Sequence, residues 1–110
     1  MKEEDKNKIK EIIKKYKKEN IRYAKPLDFF LSRNEATKEE IENDLLLCED
    51  LNSAFKQERN GELRYLLYFV YNKKRGRVYV IKINDELSVI TIFPIGRQTL
   101  LKYKKRKFIK

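Results

Sequence analysis

The sequence predicts an α+β fold in which N-terminal helices pack on a C-terminal antiparallel sheet of three to four strands. Three observations predict it. Ile9, Ile12, Ile13 and Tyr16 recur at helical spacing within an otherwise charged N-terminal segment. Thr37-Lys38-Glu39-Glu40 is a capping-box pattern that opens a second amphipathic helix. Between residues 63 and 93, three runs rich in β-branched and aromatic residues are separated by turn-forming clusters. Helical signals first and strand signals afterwards, without alternation, define the class.

Residues 3–19 read as a helix with one narrow apolar stripe, its lysines left to solvent or to a phosphate backbone. Residues 1–5 read as a frayed end. Ile21, Arg22 and Tyr23 suit a short extended piece. Pro26 fits the first turn of a short helix that carries Leu27, Phe29, Phe30 and Leu31 and stops near Asn34. The helix opened by Thr37 runs to about Cys48 and puts Ile41, Leu45 and Cys48 on one face. That placement makes Cys48 core filler rather than a nucleophile. Residues 49–59 read as a connection or a weak strand centred on Ala54 and Phe55. Strands follow at 63–71, 77–83 and 87–93, joined by a basic turn at 72–76 and a polar one at 84–86. The near-continuous apolar character of the last run predicts a strand covered on both faces. Pro94 and Gly96 end it, and a short segment at 98–103 leads into a basic tail at 104–107.

Composition narrows the chemistry. A chain of 110 residues is expected to form a single domain, with an N-terminal helix at 1–20 and a core across 21–108. There is no histidine and one cysteine, so His-based triads, an imidazole base, an intrachain disulfide and a structural Cys/His zinc site are all excluded. Neither a cofactor nor a metal is implied. The chain shows no apolar run of membrane-spanning length and no signal-peptide core, so a cytoplasmic location without membrane association is expected.

The charge is uneven. Residues 60–110 hold 13 Lys or Arg against 3 acids, a balance of +10 that equals the net charge of the whole chain. Residues 1–20 balance to +3, and residues 21–59 to −3. A basic, tyrosine-rich sheet is a surface that a nucleic-acid backbone would seek.

Three segments carry a family resemblance. Ala36-Thr37-Lys38-Glu39-Glu40-Ile41 is a helix entry, Arg77-Val78-Tyr79-Val80-Ile81 an arginine-led strand, and Ile92-Phe93-Pro94-Ile95-Gly96-Arg97 a strand end followed six residues later by Tyr103. In this order, over about residues 21–108, they resemble the RelE/ParE-like toxin superfamily. A branch of that superfamily often has a histidine where this chain has Pro26. The resemblance implies a RelE/ParE-like architecture and a toxin acting on RNA or ribosome-bound mRNA, with a small acidic antitoxin as partner. It further implies a metal-independent endoribonuclease reaction in which the substrate's 2′-OH attacks the adjacent phosphorus.

In that reaction Arg97 and Arg77 would hold the phosphate, since a guanidinium fork matches two of its oxygens. Tyr103 would orient or deprotonate the 2′-OH. Lys82, Lys102 and Lys104, with Arg64 on the preceding strand, would supply further charge. Lys73, Lys74 and Arg75 in the turn, and Lys105 and Arg106 in the tail, would contact phosphates. Tyr65, Tyr68, Tyr71 and Tyr79 are candidates for base stacking, or half-core residues. Two other readings stay open on the same residues: a non-catalytic nucleic-acid binder, and a module that docks an acidic partner.

Overall fold

The computed structural model describes residues 2–24, 37–72 and 75–96. Strand β1 (Lys2–Glu4) leads into helix α1 (Lys6–Ile13), a 3₁₀ turn (Lys18–Asn20) and strand β2 (Ile21–Tyr23). Helix α2 (Lys38–Leu47) precedes four longer strands, β3 (Leu51–Arg59), β4 (Glu62–Val70), β5 (Gly76–Ile83) and β6 (Leu87–Pro94). All six strands join one sheet in the order β1-β3-β4-β5-β6-β2. Pairing is antiparallel throughout except between β2 and β6, which run parallel.

The predicted architecture of helices on a C-terminal sheet of three to four antiparallel strands is therefore corrected, and with it the RelE/ParE-like arrangement. The sheet is mixed, has six strands, and takes both of its edges from the N-terminal quarter of the chain. Residues 2–4, expected to fray, pair with β3. Residues 51–59, expected as a connection or weak strand, form a full strand between β1 and β4. Its turn shows why. Asn60 (φ 54°) and Gly61 (φ 76°) both take the left-handed conformation, and Arg59 pairs with Glu62 across them. That is a two-residue hairpin whose twist matches its strands.

Both helices lie against one face of the sheet. Asp5 caps α1 by accepting a hydrogen bond from the Asn7 amide at 2.9 Å. The helix ends at Ile13, shorter than the predicted 3–19, because the chain must turn down into β2. The Tyr16 hydroxyl secures that turn by donating to the Asn84 carbonyl between β5 and β6. At α2 the capping box forms as predicted: the Glu40 amide donates to Thr37 Oγ1 at 3.1 Å and the Thr37 amide donates to Glu40 Oε1 at 3.2 Å. Ile9, Ile13, Ile41 and Leu45 are buried against Leu67, Phe69, Tyr79 and Ile81 of the central strands. Phe69 and Tyr79 meet edge to face, with ring centroids 5.2 Å apart.

Cys48 is buried as expected, and it ends α2 in the left-handed conformation (φ 52°). The last strand is not covered on both faces, since Phe93 is 40% exposed and Thr91 is exposed. Its apolar continuity comes from a bulge. Val80 pairs with Thr91 and Ile81 with Val89, so Ile90 is an extra residue. The buried set on β6 is accordingly Leu87, Val89 and Ile92, with the period of two broken once. Among the described residues no helix is long and apolar enough to cross a membrane.

Candidate nucleic-acid interface

The described residues hold 16 Lys or Arg against 15 Asp or Glu, a balance of only +1. Nine of the ten excess charges therefore belong to two segments. Lys73 and Lys74 supply two, and residues 97–110, with seven Lys or Arg and no acid, supply seven. The described sheet is not the carrier of the charge, because Arg22, Arg64, Arg77 and Lys82 on its strands are paired with acids. Arg22 pairs with Glu86 through Nε at 2.6 Å and Nη2 at 3.2 Å. Glu62 takes both Arg64, at 2.9 Å, and Lys82.

The described residues that border the two charge-bearing segments, Asn72 and Arg75 for one and Ile95 and Gly96 for the other, lie at one end of the sheet. Asn72 and Arg75 flank Lys73 and Lys74, and the Asn72 side chain accepts from the Arg75 amide at 3.0 Å. The chain passes Pro94, which pairs with Arg77, and the Ile95 amide then donates to the Gly76 carbonyl at 3.1 Å. Residue 97 thus follows closely on a backbone contact with the strand that Lys73 and Lys74 precede.

A polar groove of about 310 Å³ opens at this same end, between α2 and the β4–β5 hairpin. Its floor is a hydrogen-bonded cluster. Asp44 of α2 accepts from the Tyr71 hydroxyl and, at 2.5 Å, from that of Tyr79. Arg77 reaches Glu40 at 3.1 Å and lies 5.9 Å from the centre of the Tyr71 ring. Burial pushes the Asp44 carboxyl above its ordinary value, although both phenols pull it the other way. Burial, then the adjoining Asp44 carboxylate, raises Tyr71 and Tyr79 well above the usual phenol range. Burial works against the Arg77 charge, but Tyr79, Tyr71 and Glu40 outweigh it and hold the guanidinium above its usual value. Asn43, Asp50, Asn72 and Arg75 complete the rim.

No family model, curated protein or solved structure matches this chain.

Of the predicted site residues, Arg77 sits at the groove floor with 11% of its side chain exposed, tied to Glu40. Arg75 is exposed at the rim. Arg64 and Lys82 share the opposite face of the sheet, an odd number of positions from the helix-facing Leu67 and Ile81, and so are not brought to Arg77. Lys73, Lys74, Arg97, Lys102, Tyr103, Lys104, Lys105 and Arg106 lie outside the described residues, as do the short helix predicted after Pro26 and the segment at 98–103. Among the tyrosines considered for stacking, Tyr79 is fully buried and Tyr71 is half-buried, both committed to Asp44. Tyr68 packs edge to face on Phe55 on the opposite face, with centroids 5.3 Å apart. Tyr65 packs against the core.

Sequence reasoning missed Asp44 and the groove around it. A signal was present: Asp44 follows Ile41 by three residues and precedes Cys48 by four, which puts a carboxylate on the apolar face of α2. Such a carboxylate needs donors, and strand tyrosines are natural ones. Among the described residues there is no group of three or more His, Cys, Asp or Glu that could hold a metal ion.

Proposed function

We propose that this protein binds single-stranded RNA at the end of the sheet from which its two basic segments issue. One observation carries the reading: a nearly neutral fold, balanced to +1, has nine further positive charges concentrated in residues 73–74 and 97–110. Lysines and arginines held together without matching acids are what release counterions from a phosphate chain. The charges inside the sheet, paired with Glu40, Glu62 and Glu86, contribute little to that attraction.

The resemblance of residues 92–103 to toxin ribonucleases adds a reaction to this surface. Arg97 would hold the scissile phosphate and Tyr103 would act on the 2′-OH, with Lys102, Lys104, Lys105 and Arg106 screening the developing charge. The nucleophile belongs to the substrate, the 5′ oxygen leaves with a proton, and the product carries a 2′,3′-cyclic phosphate. Arg77, engaged with Glu40, serves this reading as a wall of the site next to the phosphate path. The natural inhibitor of such a toxin would be a small acidic protein covering the same basic end.

Incubation of purified protein with labelled RNA in EDTA tests both parts. Binding, with cleavage to cyclic-phosphate ends that Arg97→Ala lowers by on the order of 10²-fold, supports the ribonuclease. Binding without cleavage leaves the RNA binder and removes the reaction. Absence of binding refutes the proposal.

A further inference from the structure

The groove beside the basic end has a chemical character of its own. Its floor is saturated, since Asp44, Tyr71, Tyr79, Arg77 and Glu40 bond one another. Its rim is not. The Asp50 carboxylate, the Asn43 amide and the Arg75 guanidinium make no side-chain hydrogen bond or ion pair among the described residues, yet all three line the groove. Asp50 is well placed to stay there: it follows the α2 terminus, and its backbone carbonyl accepts from the Val70 amide at 3.0 Å. At about 310 Å³ the groove is at the small end of ligand sites and suits one planar group rather than an extended chain.

We propose that this groove is a guanine-selective base pocket, in which Asp50 reads the Watson–Crick edge of a base unstacked from the bound RNA. The pocket rests on the RNA-binding reading and names the base that binding selects. Guanine offers two adjacent donors, N1–H and the 2-amino group, that match the two oxygens of one carboxylate, and an O6 acceptor for the Arg75 guanidinium. Adenine presents an acceptor at N1, which a carboxylate repels. Cytosine presents an acceptor at N3, and uracil has one donor between two carbonyls. Asn43 can meet the remaining edge, and a guanidinium plane can also stack on a base. A phosphate or other anion does not suit this groove, because Glu40, Asp44 and Asp50 all border it.

Fluorescence anisotropy with three labelled twelve-nucleotide RNAs tests the pocket: oligouridylate carrying one central guanosine, adenosine or inosine. The wild type should bind the guanosine oligomer about tenfold more tightly than the adenosine one, the usual scale for a bidentate base contact. Inosine, which keeps N1–H and lacks the 2-amino group, should fall between them. Asp50→Asn, matched in shape and checked by its thermal melt, should bind guanosine and adenosine oligomers equally. Equal binding of the two by the wild type overturns the pocket while leaving RNA binding intact. Retention of the preference in Asp50→Asn also overturns it. If the wild type binds none of the three, the RNA-binding reading fails and the pocket with it.

Discussion

Asp44 is the residue on which the helix face and the sheet depend together. The phenols of buried Tyr79 and half-buried Tyr71 donate to it, so truncation leaves both without that acceptor. Asp44→Ala should destabilise the protein by about 2–4 kcal/mol in denaturant titrations, one unsatisfied hydroxyl being worth about 1–3 kcal/mol. Asp44→Asn keeps an acceptor oxygen and should cost less. The sign of its pH dependence follows from the raised carboxyl. The folded protein holds that proton more readily than the unfolded chain, so this group's contribution to stability is largest below the unfolded value of about 3.9 and falls as pH rises toward the folded one. Asp44→Asn should remove that fall from the stability–pH curve. Glu40 acts in the opposite sense. Burial opposes its charge, but the Thr37 amide and Arg77 hold its carboxyl below the ordinary range, so its contribution is lost as pH drops. Cys48, whose thiol burial pushes up to about 11, should resist thiol reagents near pH 8 in the folded protein and react on unfolding. Rapid labelling of the native protein would contradict its place in the core. The apolar positions Ile9, Ile13, Ile41, Leu45 and Cys48 were legible from helical spacing. Asp44 was not, because one carboxylate on an apolar stripe reads as noise until its tyrosine donors are placed beside it by the sheet.

At the scale of elements, strong local chemistry was legible and weak or non-local chemistry was not. The capping box at Thr37 and Glu40 and the three strand runs formed near their expected positions. β3 reads in sequence only as a connection or a weak strand, although Asn60-Gly61 announces it, because Lys56, Gln57, Glu58 and Arg59 dilute its apolar content. Gly61→Ala tests that turn directly. The space around Gly61 is open, so only its left-handed backbone opposes a side chain, and a loss of about 1–2 kcal/mol is expected. An unchanged melting temperature would mean that the hairpin has another turn conformation. β1 and β2 have three residues each, too few for any alternation to register, and their partners lie far along the chain. Removing residues 1–5 should consequently lower stability by exposing the β3 edge, a measurable effect that a frayed end would not give. The β6 bulge shows the same limit: an extra Ile90 mimics two-sided burial in sequence and only the register resolves it.

At the scale of the whole molecule, the charge asymmetry was legible and its location was misjudged. Residues 60–110 do carry +10, but within the described strands Arg77 pairs with Glu40, and Arg64 and Lys82 share Glu62. The excess belongs to Lys73 and Lys74 and to residues 97–110, whose described neighbours in the chain, Asn72, Arg75 and Ile95, lie at one end of the sheet. The exposed lysines of α1 and the turn after it offer a contrast, since Lys8, Lys14 and Lys15 belong to residues 1–20, where 5 acids offset 8 lysines and leave only +3. The most direct measurement is the dependence of RNA affinity on salt concentration for three proteins: wild type, a variant with Lys73, Lys74, Lys102, Lys104, Lys105 and Arg106 changed to Gln, and a variant with Lys8, Lys14 and Lys15 changed to Gln. For a single strand, every phosphate that is no longer neutralised should reduce the log–log slope by about 0.7. The first variant should show a much flatter slope and the second should match the wild type. A slope unchanged by the first set and flattened by the second would place RNA on α1 and contradict an interface at the basic end of the sheet.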